Sequence, residues 1–217
     1  MFKKITMLFV AGALLATTPV FAELRDTARE TIESVGDAVI TIEVVSEQKF
    51  SYGGQQQERE SKSEVLGVIV DEKGTVVTAL SSVDQNILFQ KMNAGREDDS
   101  FQSRVKDMKY ILADNSEVPA TIVLRDVDLD IAVLQPTEDV EDTMTFVDIS
   151  AETEPRILDE IFSVGRLGKI GRREVLGLTG EIQSIVERPR EFYVTSGEIV
   201  SPGSGVPVFN DGGQLIG

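Results

Sequence analysis

The run Ser201-Pro202-Gly203-Ser204-Gly205-Val206-Pro207-Val208 places a serine on a glycine-flanked turn, an arrangement that can display a hydroxyl nucleophile. Glycines on either side let the backbone turn sharply. The N–H groups of Gly203 and Ser204 then become candidate donors to an oxyanion. A serine of this kind needs a general base, and histidine usually supplies it. The chain contains no histidine. Gly, Ser and Pro are also the ordinary residues of surface turns, so the motif by itself serves either reading.

Two further stretches carry chemically suggestive residues. Asp126-Val127-Asp128-Leu129-Asp130 begins like a calcium loop, but Ile131 stands where the turn glycine is required and no glutamate closes the loop. Gly165-Arg166-Leu167-Gly168-Lys169-Ile170-Gly171-Arg172-Arg173 has the glycines and lysine of a phosphate loop, but Ile170 replaces the Ser or Thr that follows Gly-Lys. Neither stretch supports a metal or a cofactor. The second reads as a solvated hairpin loop whose positive charge, in an acidic protein, suits an acidic peptide or partner.

These residues must be positioned by a fold, and 217 residues with 41% hydrophobic content suffice for one sizeable core or two packed halves. Lys3 and Lys4 precede an apolar run from Ile5 to Ala16, and Val20-Phe21-Ala22 supplies small residues for a signal peptidase. Residues 1 to 22 therefore read as a cleaved secretion signal, with no stable membrane span left afterwards. Loss of the two lysines takes the formal charge from −16 to −18, which argues against nucleic acid as a partner. The absence of cysteine excludes a disulfide scaffold and suits a periplasmic or secreted protein of a bacterial cell envelope.

Along the chain, Thr27 and Glu30 form a capping box at the start of a short helix whose apolar stripe is Leu24, Ala28, Ile32 and Val35, ended by Gly36. Period-two alternation predicts a strand over 38–45, and the polar residues 46–64 read as a mobile surface loop. Hairpins are expected at 65–79, turning at Asp71 to Gly74, and at 110–124, with a buried strand at 131–134. Between them, 85–109 reads as a long exposed insertion with one helical stretch at 86–92. The acidic segment 136–156 suits a linker between an N-terminal half (36–135) and a C-terminal half (157–217). Strands are expected near Phe146 and at 157–164, 173–185, 192–195, 206–209 and 215–216.

Taken in order, Gly67-Val68-Ile69-Val70-Asp71 with Gly74, Val76-Val77-Thr78, Leu112-Ala113-Asp114, Arg125-Asp126 through Asp130-Ile131-Ala132-Val133-Leu134, and Pro202-Gly203-Ser204-Gly205 resemble the HtrA/Deg branch of trypsin-like serine proteases. The resemblance spans roughly residues 36 to 217. It implies an all-β, trypsin-like double six-stranded β-barrel with the catalytic residues in the cleft between barrels, behind a short N-terminal helix. Asp130 then matches the catalytic aspartate. Ser81, three residues after Thr78, stands where the family has its histidine. Ser204 is the nearest match to the nucleophile, with Gly205 as the alternative occupant. The family's Pro-Gly-Asn-Ser-Gly-Gly-Pro is one residue shorter here, and Val206 replaces its second glycine.

With no base beside it a serine hydroxyl stays neutral, and loss of a triad histidine costs roughly six orders of magnitude in rate, about 8 kcal/mol of barrier. These departures imply a pseudoprotease that binds polypeptide or unfolded protein in a chaperone-like or regulatory role. The alternatives are an active serine endopeptidase with a non-standard base, or a structural subunit of a homo- or hetero-oligomer. No PDZ domain is read after the protease-fold segment. The strand that completes the second barrel in the family is not matched, so that barrel is expected to be incomplete.

Overall fold

Ile40, Ile42 and Val44 alternate along the chain and all three side chains are buried, the period-two pattern of a strand with one face in the core. They belong to β1 (Val39–Tyr52) in a computed structural model that describes residues 20–217 except 53–54, 93–99, 141–142, 151–152, 198 and 200–204. β1 pairs antiparallel with β2 (Gln55–Ile69) on one side and β4 (Ser100–Ile111) on the other. With β3 (Val76–Ala79), β5 (Glu117–Asp126) and β6 (Ile131–Pro136) they close a six-stranded barrel in the order β1-β2-β3-β6-β5-β4. Closure removes free edges within the barrel itself, while the far parts of β2 and β4 extend beyond it paired only to β1.

The second unit is a four-stranded antiparallel sheet of β7 (Glu160–Arg166), β8 (Val175–Val186), β9 (Phe192–Thr195) and β10 (Val208–Asn210), in the order β10-β7-β8-β9. Neighbours on β7 face opposite ways. Phe162 joins the main core, where its ring stacks on Phe209 at 5.4 Å between centroids, while Ile161 packs with Ile182, Ile199 and Val208 in a smaller cluster. The main core runs from the barrel into this sheet and includes Leu24 and Ala28 of α1 (Val20–Val35).

A single buried guanidinium joins the two units to the N-terminal segment. Arg166, 7% exposed at the end of β7, donates from Nε to Val39 O, from Nη2 to Gly36 O at 2.8 Å and Asp37 Oδ1 at 3.1 Å, and from Nη1 to Arg173 O at 3.0 Å. A planar fork of donors can reach several backbone carbonyls at once at the junction.

Four expectations change. Residues 46–64 are not a loop: with the exception of 53–54 they belong to β1 and β2, in register from Ser46↔Ser61 to Tyr52↔Gln55. Their side chains lack apolar alternation because the covered face of β1 here carries the buried polar residues Ser46 and Gln48, while the other face is laced by cross-strand ion pairs such as Lys49–Glu58 (2.7 Å). The insertion 85–109 does contain the helix, α3 (Gln85–Met92), but from Ser100 it is strand β4. The capping box is not at a helix start, since α1 already begins at Val20 and Thr27 and Glu30 lie within it; the residues before Thr27 contain no breaker. Phe146 lies in irregular chain, where Val147 N donates to Ile69 O at 2.9 Å and Met144 and Val147 are buried against the barrel. Residues 1–19, most of the segment read as a signal, lie outside the described residues, among which no helix is long and apolar enough to cross a membrane.

Candidate functional site

Asp130 sits immediately before β6 with φ 58, in the left-handed region that Asp and Asn tolerate better than most residues. Its carbonyl accepts the Leu80 N–H at 2.9 Å, and the β3–β6 pairing Ala79↔Ile131 begins one residue further along each chain. The turn therefore points its side chain at the start of the short helix α2 (Leu80–Val83). Oδ1 accepts the backbone N–H of Ser81 at 2.8 Å, and Oδ2 accepts the Ser81 hydroxyl at 2.7 Å.

No side chain of α2 itself caps that helix, whose N-cap residue is Ala79. Asp130 supplies the cap from the facing strand, satisfying one of the N–H groups left free in a first helical turn. The two sequence-assigned positions Ser81 and Asp130 are thus brought together, although 49 residues apart. A hydroxyl donating to a carboxylate fills the place in which an imidazole would donate. Ser81 has no second nitrogen with which to accept a proton from a nucleophile, so the pair can orient and cap but cannot relay.

The third position is approached from the opposite unit. Ser204 and Gly203, the candidate nucleophile and oxyanion donor, lie outside the described residues, but the chain is fixed on both sides of them. The buried Ser163 hydroxyl donates to Ile199 O, and Val164 N donates to Pro207 O at 3.3 Å. Gly205 has φ +87, and a Cβ built on it would lie 2.6 Å from Leu66 O and 2.7 Å from Thr78 Oγ1. Thr78 Oγ1 is itself held by Leu66 O at 2.7 Å. Position 205 accepts only glycine, which removes it as a place for a side-chain nucleophile. The loop that carries the serine motif consequently reaches the end of β3, three residues before Ser81.

Beside this junction runs an apolar groove of about 490 Å³, walled by Val77, Ile131, Val147, Ile149, Val206 and Leu215, with Asp130 at its edge. Its walls come from both units, in the size range of pockets that take small apolar groups. Asp126, which opened the calcium-like stretch, spends its carboxylate on the Leu129 N–H at 2.8 Å in a local turn. Lys169–Gly171 of the phosphate-like stretch is one 3₁₀ turn, and Arg173 pairs with Glu64 at 2.6 Å.

Sequence reasoning did not foresee the roles of Gly205 and Arg166. For Gly205 the available signal was the glycine itself, two residues before a proline. Arg166 offered none, because two of its three carbonyl partners are 127 and 130 residues away. The family model described as a trypsin-like peptidase domain matches residues 66–217, from the end of β2 through the whole second sheet. With more than half of its length covered, and with a closed antiparallel barrel that carries the Ser81–Asp130 pair beside a second sheet, the chain belongs to the trypsin-like peptidase family.

Proposed function

We propose that the protein is a proteolytically inactive member of the HtrA/Deg branch, exported to a bacterial cell envelope, that binds polypeptide segments in a chaperone-like or regulatory role. The observation that carries this reading is the Ser81–Asp130 hydrogen bond, because it occupies with a hydroxyl the position from which a base must act on Ser204. A chain without histidine has no imidazole to put there. The apolar groove along the junction supports polypeptide as the ligand class, since an unfolded segment presents apolar side chains that such a surface can take up. The proposed unit boundaries are those read from the sequence, 36–135 and 157–217 about the 136–156 linker.

The test is a pair of measurements on one preparation. The protein is expected to remain unlabelled by a fluorophosphonate probe, which reports an activated serine, while suppressing aggregation of an unfolded protein. Stoichiometric labelling that disappears in Ser204→Ala would overturn the inactive reading. Failure to retain any unfolded polypeptide would overturn the binding reading alone.

A further inference from the structure

In the β7–β8 connection Ile170 is 103% exposed and Leu167 41% exposed, two aliphatic side chains held out in water. Between and beside them stand Lys169 and Arg172, both exposed and, among the described residues, without an ionic partner. This apolar and basic tip is fixed in place. Leu167 N donates to Glu174 O at 2.9 Å, Gly171 N to Gly168 O at 2.8 Å and Arg173 N to Gly168 O at 3.3 Å. Arg172 and Arg173 follow one another with φ 57 and 56, both in the left-handed region that favours glycine. Below the tip, Arg166 and Arg173 tie the loop to Gly36, Val39 and Glu64. A locally unfavourable backbone, braced from beneath, that keeps an isoleucine wholly in solvent marks a contact surface prepared in advance.

The same molecule carries a recess of opposite charge. A hollow of about 820 Å³ is lined by Glu72, Lys73, Pro136, Glu138, Asp139 and Val140. Pro136 and Val140 give it apolar walls, and three carboxylates against one ammonium leave it negative. Among the described residues, Glu72, Glu138 and Asp139 have no ionic partner. Two basic groups around two aliphatic side chains match two excess carboxylates around two apolar walls.

We propose that the Leu167–Arg172 tip of one copy docks into the Glu72, Glu138 and Asp139 hollow of a second copy. Charge selects this occupant. With a screening length of about 8 Å only groups near a contact count, and there the hollow offers the tip two excess carboxylates beside Pro136 and Val140. Because tip and hollow are different surfaces, the contact is head-to-tail, so each added copy presents a fresh tip or hollow and assembly proceeds beyond a dimer. A loop-in-hollow contact is small, so association is weak and salt-sensitive.

Sedimentation equilibrium of the purified protein, at concentrations up to about 0.1 mM to reach the range of small interfaces, is the test. The wild type should associate at low salt and dissociate at high salt. The double variants Lys169→Glu with Arg172→Glu, and Glu138→Lys with Asp139→Lys, should each weaken self-association by about tenfold or more. Mixed together, the two charge-reversed proteins should associate again. Unchanged thermal melting of each variant separates loss of contact from loss of fold. A wild type that stays monomeric throughout overturns the proposal, as do association indifferent to both reversals and a mixture of folded variants that stays apart. Binding of a monomeric wild type to anionic vesicles, lost in the tip variant, would assign the tip to lipid and also overturn it.

Discussion

Asp130 accepts two hydrogen bonds from Ser81, one from the backbone N–H at 2.8 Å and one from the hydroxyl at 2.7 Å. The first closes the initial turn of α2 and is independent of the residue type at position 81. The second depends on the serine. A carboxylate that caps a helix from a neighbouring strand has a structural reason to be present whether or not catalysis occurs, so Asp130 alone says little about activity and its partner says more.

Asp130→Ala should lower stability by about 2 kcal/mol, the scale of a lost cap together with an unpartnered half-buried hydroxyl. Asp130→Asn should cost less, because its amide oxygen still accepts the Ser81 N–H and the serine hydroxyl can turn to accept from the amide nitrogen. Chemical denaturation of the three proteins checks the order. Equal losses for Ala and Asn would show that the negative charge, not the cap, is what matters.

Gly205→Ala should be strongly destabilising, about 2 kcal/mol or more, since a Cβ at φ +87 would meet Leu66 O and Thr78 Oγ1 well inside van der Waals contact. Gly168→Ala is the control: nothing lies within 4 Å of its Cβ and its φ is negative, −68. It should melt close to the wild type. A tolerated Gly205→Ala would mean that the serine-motif loop does not lie against β3.

The positions of Ser81 and Asp130 could be read from the sequence because each is anchored to a buried run, Val76-Val77-Thr78 and Ile131 to Leu134, whose pattern and order survive substitution of the residues between. The arm formed by 46–64 could not. Apolar alternation signals a strand only where the covered face is apolar, and here that face carries Ser46 and Gln48 on β1 while Glu58, Glu60, Lys62 and Glu64 share an exposed face of β2. Alternation of charge was the surviving signal, as the Lys62–Glu43 (2.7 Å) and Lys106–Glu47 (2.9 Å) pairs show. Arg166 was legible only as a basic loop residue, since no local pattern announces a bond to carbonyls at the other end of the chain.

Glu43 provides a pH-dependent prediction. Its side chain is buried on β1, and although burial disfavours its charge, hydrogen bonds from Lys62 and Lys109 outweigh that cost and hold the carboxyl below its ordinary 4.5. A depressed folded value stabilises the fold above the unfolded value, and that contribution disappears as pH falls through the folded one. Glu43→Gln should therefore cost about 1–2 kcal/mol at neutral pH, with the gap to wild type narrowing below pH 4.5. Urea titrations across that range check it; a gap independent of pH would assign the loss to packing.

Arg166→Lys should destabilise by about 3 kcal/mol despite conserving charge, because an ammonium cannot reach Val39 O, Gly36 O and Arg173 O together and so forfeits charge-assisted bonds made inside the protein. Proteolytic nicking should report this locally. The Gly36–Val39 segment, tied to β7 through this side chain, and the N-terminal helix that precedes it should become cleavable before the barrel does. Simultaneous loss of both would show that the two units unfold as one.

Replacing Ser81 by histidine alone should not restore proteolysis, even though Asp130 is placed to orient the ring. Its Oδ1 would keep the backbone bond to residue 81, and its Oδ2 would accept from the imidazole as it now does from the hydroxyl. The obstacle is on the other side of the junction. The motif from Pro202 to Pro207 is one residue shorter than the family's, and Gly205, wedged against Thr78 and Leu66, cannot shift to make up the missing length. Displacements near 1 Å in such a site cost about a hundredfold. Insertion of Asn before Ser204 with Val206→Gly should likewise do nothing alone, and only the combination with Ser81→His should turn over an unfolded protein substrate, as expected for residues that act as a unit. Turnover by the single Ser81→His variant well above a Ser204→Ala control in the same background would show that the short loop is already competent and that the missing base is the whole defect.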